Sequence, residues 1–423
     1  MSRLFPRAAA SVAASFAAVA AAVAAALLPA PRAAAAPLSL EQAVELAAQR
    51  SQTARGARAG AVGAAERARA AAQQPDPMLN VGIDNLPATG SQRLRTSAED
   101  MTMKRIGVAQ EWVPADKRSA RQAVADAMVA REALMEAVAV AEARLQAALA
   151  FVDAFHAGAA LKLTTLNEQH AHEALEAGKG RLATVSGSSA EVLALASAAG
   201  MAEDESGELR QQRAAAAAAL QRWTGLSVDD LQAPITAEVP TAERYAEAHP
   251  AVVAKLRDIE VLRHEAELAR LDRRPNWTYE LSYGQRQGRP DLVSFGVTIP
   301  LPVAPAARQD RETAARRALV EKAEAELEEA RRAAAGEYAA LAGDAQRLHE
   351  RIVRYQGGIL APLQQRTAAT LAAYRANQAS LVMLFEARHA EVEAQRKLLA
   401  LRRDLARTQA QLVFKPIVRG AAQ

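Results

Sequence analysis

Few residues in this sequence have the type and spacing that chemistry requires. Of the seven histidines, His170 and His172 come nearest to a metal-binding pair. Two residues apart on a helix, they point to nearly opposite sides, so they are a poor pair for a zinc ion. Ser186, Ser188 and Ser189 lie in a turn without a nucleophile elbow, which is typical of helix capping. We therefore expect no catalytic residue, no cofactor and no metal, and an enzyme is the least favoured class.

The charged residues argue against a polyanionic partner. Lysine and arginine number 52 against 48 aspartates and glutamates, a net charge of +4. Basic residues alternate with acidic ones, so nucleic acid is not an expected partner. The acid-rich run "EKAEAELEEARR" at 321–332 could line a tunnel and attract cations. Charge pairs three or four residues apart make a solvated coiled-coil face the favoured interpretation of this run.

Residues 1–36 have the features of a secretory signal peptide. Arg3 and Arg7 precede an uncharged run at 8–30, and a small-residue cleavage site follows at Ala35. Retention as a membrane anchor is less favoured, because alanine is only weakly favourable in a bilayer. The absence of cysteine excludes disulfides and a lipidated N-terminal cysteine. Since no later run reaches about 18 apolar residues, only strands could cross a membrane after cleavage.

The segment at 275–303, "PNWTYELSYGQRQGRPDLVSFGVTIPLPV", differs from the alanine-rich helical pattern on either side of it. Large apolar residues alternate with small or polar ones, which predicts a β-hairpin over 276–302 with two unlike faces. One predicted face carries Trp277, Tyr279, Leu281, Tyr283, Val293, Phe295, Val297 and Ile299. The other carries Thr278, Glu280, Ser282, Ser294 and Thr298.

A weaker hairpin is predicted over 78–113. Its first strand alternates Leu79, Val81 and Ile83 with polar or small residues that include Asn80 and Asp84, and its second places Ile106, Val108, Gln110 and Trp112 on one face. Met101 and Met103 are out of phase with that second set. We therefore expect a bulge or a slipped register near Lys104.

Both halves of the mature chain follow the same plan, which predicts an internal duplication. The first repeat covers 37–224, a linker covers 225–240, the second repeat covers 241–413, and a tail covers 414–423. Each repeat reads as helix, β-hairpin, long helix, tip and returning helix. Alternating spacings of three and four in the long helices predict coiled-coil packing. Pro362, inside a helix expected from Ala306 to Tyr374, should bend it or loosen one turn.

Hairpins with such apolar faces would aggregate if they were exposed to water. Strands cross lipid only in a closed barrel, and four strands are too few to close one. The pattern thus favours a barrel shared between copies, with the apolar face on lipid and the polar face, including Asn80 and Asp84, in the lumen. Few ionisable residues fall at the expected lumen positions, so we expect no strong selectivity. The alternative is a pair of half-buried hairpins in a soluble domain.

These features, in this order, resemble the TolC-like outer-membrane efflux proteins over nearly the whole mature chain. Local similarities include "PDPMLNVGIDN", "QEWVPADKRSAR", "AAAALQRWTGL", "HPAVVAKLRDIEVLRHEAELARLDRRPNWTYELSYG" and "ILAPLQQRTAATLAAYRANQASLVMLFEARH". The resemblance implies a mainly α chain whose long helical hairpins form a periplasmic coiled-coil tunnel. It also implies a homotrimer with a twelve-stranded barrel in the outer membrane of a Gram-negative bacterium. The implied partners are a periplasmic adaptor and an inner-membrane pump of the proton-driven resistance-nodulation-division type.

The "PDP" and "ILAP" elements resemble the branch of that family that exports heavy-metal cations; drugs or other small molecules remain alternative cargo. At the periplasmic tips, the candidate gate or adaptor-contact residues are Gly178, Gly180, Gly187, Tyr374, Arg375 and Asn377. They are otherwise ordinary turn residues. Asn377 replaces a glycine common in the family, and asparagine tolerates the left-handed conformation that this turn needs. A soluble periplasmic coiled-coil scaffold or adaptor is the competing function.

Overall fold

The polypeptide alternates between long helices and short antiparallel strands. A computed structural model describes residues 37–184, 187–227, 230–234 and 238–417. The predicted signal peptide, Ser186 and the end of the C-terminal tail lie outside the described residues. In none of the described helices are length and apolar character together sufficient for a membrane span.

Two capped helices begin the described chain. They are α1 (Leu40–Arg50) and α2 (Gln52–Ala71). Ser39 and Gln42 form a reciprocal capping box at the start of α1, and the Ser51 side chain accepts a hydrogen bond from the Ala54 N–H of α2. Just before α1, Leu38 forms an isolated parallel bridge with Leu231 in the linker.

Four strands form one antiparallel sheet in the order β1-β2-β3-β4. They are β1 (Met78–Asp84), β2 (Met103–Trp112), β3 (Trp277–Arg286) and β4 (Leu292–Thr298). The two predicted hairpins thus lie side by side, joined through β2 and β3. Strands β1 and β4 form the two edges, and neither has a second neighbour in the described chain.

Two details of the predicted strands were wrong. The register of β2 runs without interruption from Met103 to Trp112, so there is no bulge or slip near Lys104. The Met103 side chain lies over Gly284. A Cβ at position 284 would lie 2.1 Å from the Met103 sulfur, so the glycine leaves room for Met103 in the regular register. Ile299, predicted as a strand residue, lies one residue beyond the end of β4. The alternating prolines that follow lack the N–H a ladder requires.

The long helix of the first half is continuous. Helix α3 (Ala115–Ala183) has 69 residues, about 100 Å at 1.5 Å per residue. The predicted seam is buried at its centre, where Leu145, Ala148 and Val152 are at most 7% exposed. The returning helix α4 (Ser189–Thr224) begins at Ser188, whose hydroxyl accepts from the Glu191 N–H, as the capping interpretation predicted.

The second half has the same order but a broken long helix. Its helices are α5 (Ala242–Glu247), α6 (Pro250–Leu271), α7 (Gln309–Tyr355), α8 (Ala361–Arg375) and α9 (Leu381–Phe414). A π-helical turn, Gln356–Leu360, separates α7 from α8. It lies directly before Pro362, so the prediction of a loosened turn is confirmed, and the rod is not one regular helix.

The hydrophobic contacts lie between the rods rather than in one central core. Phe151 of α3 is fully buried against Leu38, Ala43 and Leu220, while Leu327 of α7 packs with α6. On α7, the acid-rich run makes pairs three apart, such as Glu328 with Arg331, and a pair across to Lys255 of α6. This pairing agrees with the favoured interpretation of a solvated helical face.

Candidate functional site: the sheet and the helical tips

One face of the sheet is apolar over most of its area, with Lys104, Gln110 and Gln285 as its polar residues. Cross-strand neighbours place Tyr279 beside Val297 and Leu281 beside Phe295. The same rows continue onto the first hairpin through Val108, opposite Leu281. Phe295 is 69% exposed in the single chain. The remaining predicted apolar residues of the second hairpin, Trp277, Tyr283, Val293 and Ile299, are also exposed.

Strands β1 and β2 widen this apolar face. Leu79, Val81, Ile106 and Val108 are between 48% and 73% exposed and pair in the same rows. The predicted lipid-facing set contained only residues of the second hairpin. The period-two pattern of the first hairpin had indicated these residues as well, but its weaker alternation hid their shared face.

The opposite face, here called the inner face, is built from small and polar residues. Ser282 lies between Gly107 and Ser294, and Thr278 lies beside Thr298. Asn80 pairs with Gly107 at the other side of the same row. A Cβ on Gly107 would lie 2.7 Å from the Ser282 Cβ, so glycine lets these strands keep their close contact.

Charged residues interrupt this small-residue surface at one place. Arg105 Nε lies 3.2 Å from Asp84 Oδ2, and Arg105 Nη1 lies 3.4 Å from Glu280 Oε1. All three side chains are a little over one third exposed. Sequence reasoning placed both acids on this face but missed Arg105, although its position next to Ile106 in a period-two strand indicates it.

The far end of the sheet, away from the helices, is held by contacts between its loops. Arg289 in the β3–β4 turn forms a 2.6 Å ion pair with Asp100 in the β1–β2 loop. The Tyr283 hydroxyl donates to the Asp291 carboxylate within the second hairpin. The Arg289–Asp100 pair therefore connects the two hairpins at that end.

Comparison with solved structures clarifies this arrangement. A membrane protein from Pseudomonas aeruginosa superposes with a TM-score of 0.74 at 14% identity, over 89% of each chain. The outer membrane protein VceC from Vibrio cholerae gives 0.71 at 17% identity, over 89% of this chain and 95% of that one. The open-state MtrE outer membrane channel of Neisseria gonorrhoeae gives 0.73 at 15%, over 89% and 88%. The chain has the TolC-like fold. No protein-family model and no curated protein matches the sequence.

In this TolC-like fold, the two predicted tips meet in one apolar cluster. Ala174 and Leu195 from the first tip pack with Leu381 and Leu384 from the second, and Tyr374 lies against them. The structure thus brings both helical hairpins together at the end remote from the sheet. Tyr374 contributes to packing there, whereas Arg375 is exposed.

The tip residues have different local roles. Gly178 is buried, and a Cβ on it would lie 2.7 Å from Leu195 Cδ1, whereas a Cβ on Gly180 would meet nothing within 4 Å. A Cβ on Gly187 would lie 2.9 Å from the backbone nitrogen of Leu182, because the chain passes close to that backbone. Asn377 has a φ of 60°, the left-handed conformation predicted for it. The Gln378 N–H donates to the Ala373 carbonyl at 2.8 Å and closes a Schellman-type turn.

A polar cluster between the sheet and the tips joins the C-terminal segment to the second half. Glu337 of α7 accepts hydrogen bonds from the Tyr245 hydroxyl at 3.0 Å and from Lys415 Nζ at 2.5 Å, and His249 Nε2 lies 3.4 Å away. The Ile417 N–H also donates to the Ala248 carbonyl. Sequence analysis did not find this cluster, because its members lie far apart in the chain.

Burial and hydrogen bonding shift the pKa values in this cluster. Burial opposes ionisation of Glu337, but the hydrogen bonds from Lys415 and Tyr245 hold its pKa below the usual range. Burial lowers the pKa of His249, and the charge of Lys415 adds to that effect. His249 Nδ1 accepts the Ala251 N–H as the cap of α6, which requires a neutral ring.

The histidines noted in the sequence have separate partners. His170 contacts Glu173 on its own helix, and His172 contacts Glu203 on α4. Across the described ranges, no three histidine, aspartate or glutamate side chains are grouped as a metal ion requires.

Proposed function

We propose that this chain forms a homotrimeric channel in the outer membrane of a Gram-negative bacterium. In this proposal the channel passively conducts small solutes delivered by an inner-membrane pump. The observation that carries the proposal is the sheet itself. Its apolar face is exposed, its opposite face is polar, and both of its edge strands lack an outer neighbour in the described chain.

The exposed apolar face is suited to lipid. In water, aromatic and branched side chains such as Phe295 and Val293 would favour aggregation, whereas in hydrocarbon they are stable. Backbone groups in hydrocarbon need partners, so the free edges of β1 and β4 must be paired. Pairing β4 of one copy with β1 of the next continues the antiparallel sheet. Three copies supply twelve strands, enough to close a barrel.

The helical rods extend this pore away from the membrane. Rods of about 100 Å leave the same end of the sheet and converge at the tip cluster around Leu195 and Leu384. A periplasmic adaptor docking at the tips would join the tunnel to a pump, which the resemblance implies is of the resistance-nodulation-division type. Tyr374, Arg375 and Asn377 are the residues we assign to that contact or to the gate.

The cargo we propose is divalent heavy-metal cations. This assignment depends on the sequence similarity of the "PDP" segment before β1 and of the "ILAP" segment, which covers the end of the π-helical turn and the start of α8. Drugs and other small molecules are the alternative cargo. Transport through such a pore would be driven by the pump, and the channel itself would need neither cofactor nor catalytic residue.

Membrane assembly provides the test of the channel proposal. The full chain is expressed with its own N-terminal segment, inner and outer membranes are separated, and extracts are compared on a gel before and after heating. We expect a heat-sensitive band near three times the mature mass in the outer-membrane fraction. Soluble periplasmic protein would overturn the proposal and favour the scaffold or adaptor function.

Two neighbouring residues on β4 provide a matched control. Phe295→Lys places a charge on the apolar face, at a cost of about 2–4 kcal/mol near the bilayer midplane, and should abolish the heat-sensitive band. Ser294→Lys places the same charge on the inner face and should leave the band intact. Equal loss for both variants, or loss for Ser294→Lys alone, would contradict the assigned faces.

A further inference from the structure

The two junctions between a strand and a long helix are covered unequally. In the first half, β2 is followed by two residues and then by α3, and Val113 between them is fully buried. In the second half, residues 299–308 separate β4 from α7. Leu301 is 78% exposed there, and Val303 is 89% exposed. The second junction therefore lacks, in the single chain, the cover that the first one has.

The first junction is covered by the segment just before β3. Lys117, the third residue of α3, is buried, and its Nζ lies 3.1 Å from both Asp272 Oδ1 and Asn276 Oδ1. Arg274 of the same segment forms a 2.9 Å ion pair with Asp116, the second residue of α3. Because β2 and β3 are antiparallel neighbours, the segment after β2 lies beside the segment before β3.

Helix α7 begins with the same order of charges as α3. Its second and third residues are Asp310 and Arg311. In α3 these positions are occupied by Asp116 and Lys117. Asp310 pairs within its own half, with Arg273 at 3.3 Å. Arg311 is exposed, and its side chain has no ion pair or hydrogen bond within the described residues. The cation that is buried at the first junction is therefore free at the second.

The segment just before β1 contains an acid that is also free. Asp76 is the only carboxylate in residues 72–77, which connect α2 to β1. Its side chain is exposed and has no partner in the part of the chain that the structure describes. Strands β1 and β4 are opposite edges of the sheet, about 14 Å apart across three strand spacings. Asp76 and Arg311 therefore do not meet within one chain.

We propose that Arg311 of one copy forms an ion pair with Asp76 of the next copy and so completes the second junction. This inference rests on the proposed function, because the two segments become neighbours only when β4 of one copy pairs with β1 of the next. The segment after β4 then lies beside the segment before β1, as the segment after β2 lies beside the one before β3. The contact joins two different surfaces of the chain, and three such contacts close a ring.

Paired cysteines test this contact, because the chain has no cysteine of its own. Asp76→Cys and Arg311→Cys are combined in one full-length chain, and the membranes that contain it are treated with a short bis-maleimide. We expect covalent dimers and trimers on a gel after heating, and only monomer from each single variant. Asp76→Cys with Arg351→Cys is the matched control. Arg351 is exposed on the same helix, about 60 Å from Arg311, and should give only monomer.

A charge exchange tests the ion pair itself. Asp76→Arg alone, or Arg311→Asp alone, leaves two like charges in a contact that water reaches poorly. Each should lower the yield of heat-sensitive trimer about tenfold or more. The two changes together restore opposite charges and should recover most of the yield. Asp76→Arg with Arg351→Asp has the same net charge and should recover none of it.

The outcomes separate this inference from the channel proposal. A wild-type trimer that gives neither a cross-link nor recovery by charge exchange would overturn the ion pair and leave the channel proposal intact. Equal recovery with Arg311→Asp and Arg351→Asp would also overturn it, because only net charge would then matter. If the wild-type chain forms no trimer in the membrane, the channel proposal itself fails. If Asp76→Arg prevents insertion in every combination, the cross-link decides the question.

Discussion

The long rods of the two halves occupy similar places in the order of elements but have different surroundings. Helix α3 buries 20 of its residues, while α7 buries four and α8 none of its own in the described chain. Helix α3 is packed by helices from both halves, whereas the α7–α8 rod lies at the margin and contains a π-helical turn. The two rods are therefore packed unequally: other helices cover α3, whereas the α7–α8 rod is largely exposed in the single chain.

The largest expected effect is a loss of stability when the packing of α3 is disrupted. Phe151→Ala empties a fully buried site beside Leu38 and Leu220, and we expect a loss of about 3–5 kcal/mol in the free energy of unfolding. Val353→Ala on α7, where the side chain is 56% exposed, should cost far less. Thermal unfolding followed by helical circular dichroism measures both. Comparable losses would show that the two rods are equally packed.

Two glycines in the last turns of α3 differ in how closely their surroundings are packed, which tests the packing of the tips. Gly178→Ala forces a Cβ to within 2.7 Å of Leu195 Cδ1, and overpacking of this kind costs about 1–3 kcal/mol. Gly180→Ala faces open space and should stabilise the helix by about 0.5–1 kcal/mol. Differential scanning calorimetry distinguishes the opposite signs. A stabilising Gly178→Ala would mean that the tip packs loosely.

The polar cluster around Glu337 in the second half should make the stability of that region depend on pH. The pKa values of Glu337 and His249 are lower in the folded chain than their ordinary values of 4.5 and 6.5. As pH falls, the unfolded chain binds these protons first, so the stabilisation present near pH 7 is lost progressively below about 6.5. Amide exchange should therefore accelerate near Lys415 and α7 as the pH falls, and around His156 of α3, whose pKa burial also lowers.

Glu337→Gln tests that assignment directly. The variant should lose about 1 kcal/mol at neutral pH, a discounted figure because Glu337 is one third exposed. It should also flatten the acid dependence of exchange in α7. Glu328→Gln, on the same helix but in an exposed pair with Arg331, should leave both unchanged. An unaltered pH profile in Glu337→Gln would locate the acid response elsewhere.

The smallest expected effect concerns the π-helical turn between α7 and α8. Pro362 cannot donate to the carbonyl four residues earlier, and Pro362→Ala restores that hydrogen bond, a gain of about 0.5–1.5 kcal/mol. We expect slower amide exchange across Gln356–Leu360 as the turn becomes α-helical. Gly357→Ala is the control for the glycine pair inside the turn. If it alone slows exchange, the glycines rather than the proline maintain the π-helical turn.

The features that could be predicted from the sequence were those that depend on local residue patterns. Alternation at Leu281 and Phe295 indicated the strands and their apolar face, and Pro362 indicated the broken rod. What sequence could not show depended on residues distant in the chain. Gly284 permits the regular register at Met103, and Glu337 gathers partners from three other segments. Arg105 was within reach of the period-two argument but was overlooked because its partners belong to two different strands.

The bridge between Leu38 and Leu231 has a consequence for the order of folding. The Leu38 N–H donates to the Asp230 carbonyl, and the Gln232 N–H donates to the Leu38 carbonyl. Leu38, just before helix α1, therefore forms backbone hydrogen bonds with a segment nearly 200 residues later in the chain. Closing so long a loop costs only slightly more entropy than closing a short one, but such distant contacts form slowly. Helix α1 can pack on α3 earlier, but the backbone of Leu38 finds these partners only after the linker has been synthesised.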